Sequence, residues 1–334
     1  MDPFWIANKS RDGFFLKNNL KKNLKELDPQ IIHLHGLWRS PTRRYKLYLK
    51  EKLPFIISPH GMLDQWAMNQ SKLKKQIYWS IIEKWSLNAC NCIHALCQSE
   101  FDSIKNLGLK NHVALIPNGV KILKKNELQI LPNPPWSKCI PKNSKILLYL
   151  GRFHRKKGIK ELLHSWEKVL QKAKANNWWL VIVGYGDDIN PKSIIENLHL
   201  DNCIVLGPVF EEKLKASTFI NSNAFILPSF SEGIPMSVLE AMSFRKTTLI
   251  SKGCNLNEVF KNKAAIEIKT NEEDIANSLN NLFLSSQDEL EIIGDNAFNY
   301  VKENYSWEKV SLMTKVLYEW IAGHSEKPNF VSHT

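Results

Sequence analysis

The 334-residue chain predicts an α/β fold built from two doubly wound, parallel-sheet domains. Three observations carry that prediction. Short apolar runs alternate with longer amphipathic stretches, the pattern of β-α units packed around a parallel sheet. The alternation stops at a proline-rich stretch, Leu131-Pro-Asn-Pro-Pro-Trp136, and then starts again. The length also suits two domains of about 100–200 residues each. In the first half, strands are expected over 31–35, 55–58, 92–97 and 112–116, with helices over 14–27, 42–51, 71–87 and 99–107. Residues 131–136 hold too much proline for a helix or a central strand and read as a linker. Beyond it, strands over 146–149, 179–183, 204–206, 224–227 and 248–251 alternate with helices over 159–175, 211–220 and 235–243, and 271–322 reads as mostly helical. The expected division is 1–140, 141–305, and a final segment 306–334 whose helix crosses back to the first domain. Ligands of such folds bind outside the carboxyl ends of the strands, so a cleft between two such ends is expected.

Composition narrows the class. Hydrophobic residues at 43% and charged residues at 23% fit a soluble globular protein and argue against disordered, collagen-like and coiled-coil chains. No apolar run nears the ~20 residues that span a bilayer, and Met1-Asp-Pro-Phe-Trp5 shows no secretory pattern. Six cysteines are too few for a disulfide scaffold of this length, and Cys90, Cys92 and Cys97 lack paired zinc-site spacing. They read as buried free thiols in a reducing cytoplasm.

The charge is divided unevenly. Residues 1–140 hold 22 Lys and Arg against 10 Asp and Glu, which is the whole net charge of +12; residues 141–334 hold 23 against 23. Such asymmetry points to an anionic partner. Within the basic half, Ser71-Lys-Leu-Lys-Lys-Gln-Ile-Tyr-Trp-Ser-Ile-Ile-Glu-Lys-Trp85 interleaves lysines with apolar residues. At 100° per residue Leu73, Ile77, Ile81 and Trp85 share one stripe, which either packs on the sheet or faces a membrane. Lys72, Lys74 and Lys75 with Arg43, Arg44 and Lys46 could form an electrostatic footprint on an anionic surface. A nucleic-acid partner is disfavoured, because these residues are not organised into a known reader.

Chemistry-bearing motifs lie in the second half. In Pro228-Ser-Phe-Ser-Glu232-Gly233-Ile234-Pro235-Met236-Ser-Val-Leu-Glu240, a strand ends, a loop holds Glu232, and a helix opens around Pro235. Its free N–H groups suit an anion such as a diphosphate. In Leu148-Tyr-Leu-Gly151-Arg152-Phe-His-Arg-Lys-Lys157-Gly158, a strand runs into a basic loop where Arg152 and Lys157 can grip phosphate oxygens. Gly184-Tyr-Gly186 alone indicates little more than a tight turn. There is no Asp-x-Asp, and Asp187 and Asp188 read as loop residues rather than metal ligands.

Together these pieces resemble the retaining glycosyltransferases of family 4, the group 1 glycosyltransferases, which have the GT-B fold of two Rossmann-like domains facing a cleft. The matching residues run in order: His33-Leu-His35-Gly36-Leu-Trp38, Ser58-Pro-His60-Gly61-Met-Leu63, Ile116-Pro-Asn118-Gly119, Gly151-Arg152 to Lys157-Gly158, Gly184-Tyr-Gly186, Gly207-Pro-Val209, and Glu232 to Glu240. They cover about 31–251, with a weaker continuation to Tyr305-Ser-Trp307. The resemblance implies that Arg152 and Lys157 hold the donor diphosphate, that Glu232 meets the donor sugar, and that Gly233, Ile234, Pro235 and Met236 line sugar and phosphate. It further implies that Glu240 accepts from ribose hydroxyls, that Val209 lies by the nucleobase, and that His60 approaches the reacting sugar. Gly36 and Trp38 would border the acceptor, while His33 and His35, on one side of a strand, would be structural or acceptor-lining.

Two departures stand out. Family members usually begin with a strand and a glycine-rich loop, whereas some 30 residues holding Gly13 alone precede Ile31, so the first domain is expected to lack its opening β-α units. After the helix that follows Glu232, Phe244-Arg-Lys-Thr247 replaces the usual glycine and proline, and arginine takes a left-handed cap less readily than glycine.

The function implied is metal-independent, retaining transfer of a sugar from a UDP- or GDP-sugar to a lipid-linked or polysaccharide acceptor in cell-envelope synthesis. No cofactor is expected, and the enzyme would sit on the inner face of the cytoplasmic membrane. The rival reading is a truncated, inactive relative that binds a nucleotide sugar or a partner.

Overall fold

The computed structural model describes residues 16–38, 42–64, 67–68, 72–123, 127 and 131–333. Gly13 and the beginning of the first expected helix lie outside the described residues. The chain divides into two compact units, residues 1–116 with 314–334, and residues 117–313.

The first unit holds strands β1 (Ile32–His35), β2 (Phe55–Ser58), β3 (Cys92–Ala95) and β4 (His112–Leu115), parallel and adjacent in that order. Strands β2 and β3 are buried along their whole length, as their largely apolar runs require in a sheet covered on both faces, with Ser58 and His94 the buried polar exceptions. Phe55, Ile57, Ile93, Leu87 and Ile104 form the centre of its core. A short C-terminal strand, Val331–His333, pairs antiparallel with β4 and closes that edge. Three residues are too few to show a period, and the sequence reading took no strand there. Cys90, Cys92 and Cys97 are buried free thiols.

The second unit is a six-stranded, all-parallel sheet. Strands β5 (Lys145–Arg152), β6 (Trp178–Tyr185), β7 (Cys203–Leu206), β8 (Ala224–Leu227), β9 (Thr247–Ser251) and β10 (Ile266–Ile268) lie in the order β10-β9-β8-β5-β6-β7. The order reverses at β5, the switch point at which such sheets place ligands. Helix Ile159–Ala175 buries Leu162, Leu163 and Trp166 against this sheet's side of the unit.

The proline segment is packed rather than free. Trp136 and Ile140 are buried, and the Ser217 hydroxyl donates to the Pro132 carbonyl at 2.6 Å. Proline excludes helix and central strand there but does not prevent burial, and the segment lies inside the second unit. Helix Trp307–Ile321 starts in the second unit and ends in the first. Among the described residues no helix is long and apolar enough to cross a membrane.

Arg245 does adopt the left-handed conformation, with φ of 56°. An ion pair with Asp295 and a guanidinium seated 3.9 Å from the Phe298 ring centroid hold it there, offsetting the strain that glycine would avoid.

Candidate functional site

In the second unit the residues singled out by sequence gather at the carboxyl edge of the sheet. Arg152 is the last residue of β5, exposed beside Tyr185 of β6. The chain then makes a single 3-10 turn, Arg155–Lys157, and reverses at Gly158. Gly158 has φ of 70°, and a Cβ there would collide with the Pro228 carbonyl oxygen in the loop after β8. Only glycine lets these two loops approach so closely. Their contact is sealed by the Phe230 N–H donating to the Lys156 carbonyl at 2.7 Å.

That approach brings Lys157 to Glu232. Nζ lies 2.8 Å from Oε1, with the two side chains only 10% and 9% exposed. The Ser229 hydroxyl donates to the same carboxylate oxygen. The backbone around Glu232 is fixed as well: its N–H donates to the Gly253 carbonyl at 2.8 Å, and Asn255 Nδ2 donates to its carbonyl. A charged pair this dry keeps its geometry because each member is the other's main compensation.

Glu232 leads through half-buried Gly233 and buried Ile234 to Pro235, the residue flanking helix Met236–Ser243. Pro235 therefore sits at the N-cap, one place before the first helical turn where sequence reasoning put it. No side chain caps this helix, so Met236 presents a first-turn N–H to whatever lies at the loop. Glu240, one turn further, receives a bond from Lys215 Nζ at 2.6 Å. Lys215 belongs to helix Glu212–Ile220, which follows Val209 and β7. Val209 is half-buried and its neighbour Phe210 is 75% exposed, 5.8 Å from the Tyr185 ring. Both carboxylates thus face a lysine, and Lys215 was not visible from sequence because nothing in its spacing ties it to Glu240.

The Gly184-Tyr-Gly186 segment is more than a turn. A Cβ on Gly184 would strike the Gly151 carbonyl oxygen, so β5 and β6 are pinned together where Arg152 emerges. Asp188 is occupied by Arg155, which donates through its guanidinium at 2.8 Å and its backbone N–H at 2.7 Å. Those bonds push the Asp188 carboxyl down to about 2. Among the described residues, no three of His, Cys, Asp and Glu converge as metal ligands.

In the first unit Gly36, Trp38 and His60 also follow strand ends. Gly36 has φ of 82°, and Trp38, at φ of 63°, donates its backbone N–H to Glu83 Oε1 at 2.7 Å. The Trp38 indole Nε1 is buried and, among the described residues, has no hydrogen-bond partner. His60 sits at φ of 53°, and its Nε2 is 2.8 Å from His35 Nδ1 with the rings stacked. Desolvation and then the neighbouring His35 hold the His60 ring below the usual histidine range, so it is neutral at pH 7. The next residue, Gly61, donates its N–H to buried Glu100.

Beneath them runs a directed hydrogen-bond chain. The Ile116 carbonyl can only accept, so His94 carries its proton on Nε2 and donates at 2.7 Å. His94 is neutral, its pKa lowered to about 4 chiefly by burial, so its Nδ1 accepts from the Ser58 hydroxyl at 2.8 Å. Ser58 then accepts from His33 Nε2 at 2.7 Å, and His33 Nδ1 accepts from the Tyr318 hydroxyl at 2.6 Å. Glu83, Glu100, His94 and Tyr318 all escaped the sequence reading. Glu83 carried one signal, the single acid of an apolar and basic helical stretch.

Two mostly parallel sheets in two α/β units define the class: a two-domain protein of the GT-B fold. The family model described as Glycosyl transferases group 1 matches residues 134–300, and that described as Glycosyltransferase Family 4 matches residues 1–122. The chain belongs to the group 1, family 4 glycosyltransferases. An uncharacterised glycosyltransferase of Methanocaldococcus jannaschii is 29% identical over 312 residues, covering 89% of this chain and 76% of the relative. The N,N'-diacetylbacillosaminyl-diphospho-undecaprenol alpha-1,3-N-acetylgalactosaminyltransferase of Campylobacter jejuni is 32% identical over 167 residues, 47% of this chain and 42% of the relative. Among solved structures, sucrose-phosphate synthase of Thermosynechococcus elongatus shares the fold with a TM-score of 0.73 at 18% identity, covering 92% of this chain and 77% of that one. Across the curated relatives it matches, the chain spans between 35% and 76% of their own lengths.

Proposed function

We propose that the protein transfers a sugar, with retention of configuration and without a metal, from a UDP- or GDP-sugar to a lipid-linked or polysaccharide acceptor of the cell envelope. The observation that carries this reading is the buried Lys157–Glu232 pair at the carboxyl edge of β5 and β8, inside the segment that the group 1 family model matches. Arg152 and Lys157 supply cations to the leaving diphosphate, whose charge grows as the bond between anomeric carbon and phosphate oxygen breaks. The first-turn N–H of Met236 adds a dipole beside Gly233, Ile234 and Pro235. Glu232 orients the sugar, Glu240 the ribose, and Val209 borders the base. The acceptor hydroxyl oxygen attacks the same face of the anomeric carbon, and its proton passes to the departing phosphate. Neutral His60 hydrogen-bonds the sugar, with Gly36 and Trp38 toward the acceptor. The enzyme works from the inner face of the cytoplasmic membrane, held by its basic first half.

Glu240→Ala is expected to weaken nucleoside-diphosphate binding by about 1–3 kcal/mol, the scale of a lost charged hydrogen bond. Calorimetry with UDP and GDP in chelator measures this, and binding that needs added magnesium or manganese would sink the metal-free mechanism. Glu232→Ala is expected to lower transfer far more than nucleotide affinity, because its partner is the sugar. Wild-type protein that binds donor but transfers to no envelope acceptor would instead favour a binding module.

A further inference from the structure

One helical segment of the first unit carries a feature the donor chemistry does not use. Lys72–Tyr78 and Lys84–Ala89 are α-helical, and between them Trp79–Glu83 forms a π turn. In a regular α-helix a row of residues four apart drifts about 40° per step, so the stripe would be spread over an arc of about 120° from Leu73 to Trp85. The π turn takes in an extra residue and returns roughly 100° of that drift. Leu73, Ile77, Ile81 and Trp85 consequently form a nearly straight row, and all four face solvent, at 77%, 59%, 65% and 60% exposure. The row does not pack on the sheet.

Its polar surroundings are one-sided. Lys74 and Lys84 are exposed and flank the row about 100° to either side. Lys75 folds back, its Nζ donating to the Ala67 carbonyl at 2.5 Å and lying 5.7 Å from the Trp38 ring. The segment's one acid, Glu83, is fully buried and bonded to the Trp38 N–H and the Thr42 hydroxyl. Trp85 donates its indole N–H to the Ser80 carbonyl at 3.1 Å, so the exposed ring needs no water for its polar atom. An exposed apolar row with a basic rim and no exposed acid is the pattern of a helix lying in a lipid interface.

We infer that this row docks the protein on an anionic phospholipid surface, Leu73, Ile77, Ile81 and Trp85 entering the acyl boundary while Lys74 and Lys84 reach lipid phosphates. Charge selects that occupant. The +12 excess lies wholly in residues 1–140, whereas a second copy would bring Lys74 and Lys84 against their own like charges across a two-fold interface. The inference deepens the proposed work at the inner membrane face and rests on that reading.

The test is co-sedimentation of the full chain with phosphatidylglycerol-containing and with pure phosphatidylcholine vesicles over a salt series. Wild type is expected on the anionic vesicles, with salt reducing but not abolishing binding. Ile77→Ser/Ile81→Ser is expected to lose roughly tenfold or more of the partitioning at every salt concentration, and Lys74→Ser/Lys84→Ser to lose its salt-sensitive part. Circular dichroism and UDP or GDP calorimetry should match wild type in both variants, since these side chains are exposed and lie outside the second unit. Equal recovery of wild type and Ile77→Ser/Ile81→Ser, equal binding to both vesicle types, or a wild-type dimer that Ile77→Ser/Ile81→Ser dissociates would overturn the inference. Loss of nucleotide binding by wild type with intact vesicle binding would overturn the donor-site reading alone.

Discussion

Lys157→Met is expected to destabilise the second unit by about 3–5 kcal/mol, the usual cost of removing one member of a buried ion pair. Its Nζ is 2.8 Å from Glu232 Oε1, and both side chains are nine-tenths out of water. Without the lysine, the carboxylate keeps, among the described residues, the Ser229 hydroxyl as its one side-chain hydrogen-bond partner. Glu232 cannot swing out to solvent cheaply, because its own backbone is bonded to Gly253 and Asn255. Lys157→Met/Glu232→Gln should recover most of the loss, since no unpaired charge is then left behind. Urea unfolding of the wild type, both single variants and the double variant gives the coupling directly. A single-variant loss under about 1 kcal/mol, the scale of an exposed pair, would show the interaction to be solvated.

Acid is expected to weaken the first unit through its histidine chain. His94 has a folded pKa near 4 against 6.5 for the free side chain, so its contribution is fully present above pH 6.5 and is lost as pH falls toward 4. The loss amounts to about 2 kcal/mol at pH 5 and about 3 kcal/mol at pH 4. His33, held well below the usual range first by burial and then by His35, His94 and His60, acts with the same sign. Protonating either ring turns an acceptor nitrogen into a donor and breaks the run from Tyr318 to Ile116. Glu83 and Glu100, raised by burial, act with the opposite sign, because acid relieves their desolvation. A comparison with His94→Gln separates the two. Glutamine can still donate to Ile116 and accept from Ser58, yet does not titrate. Unfolding free energies from urea titrations should fall between pH 7 and pH 5 by about 2 kcal/mol more for wild type than for His94→Gln, and parallel profiles would refute the assignment.

The sequence displayed what short-range physics controls. Strand β2 was legible at its full length because a short apolar run, Phe55-Ile-Ile57, closed by Ser58 and Pro59 reads as a buried strand, and helix Ile159–Ala175 because its apolar face repeats over four turns. Glu232, Lys157 and Arg152 were legible as chemistry, but the pairing of Lys157 with Glu232 depends on a glycine meeting a carbonyl seventy residues away. The stripe at Leu73 to Trp85 was legible as a stripe, while its exposure was not, since an amphipathic pattern does not say which medium its apolar face meets. The π turn was hidden for the same reason: hydrogen-bond register leaves no mark in composition. Strand β10 and the C-terminal strand were missed because three residues cannot display a period of two.

The first unit is also discontinuous along the chain, and that sets a timetable for its birth. Its sheet is finished by residues 331–333 and its histidine chain by Tyr318, yet residues 117–313 must be made in between. At ~5–20 residues per second, a ribosome leaves β4 without its edge partner, and His33 without its hydroxyl donor, for on the order of ten to forty seconds. The second unit can complete its own sheet during that wait. The half of the molecule that is translated first is therefore the half that matures last, and an open sheet edge and an exposed apolar, basic helix are what the nascent chain offers to chaperones and membranes in the meantime.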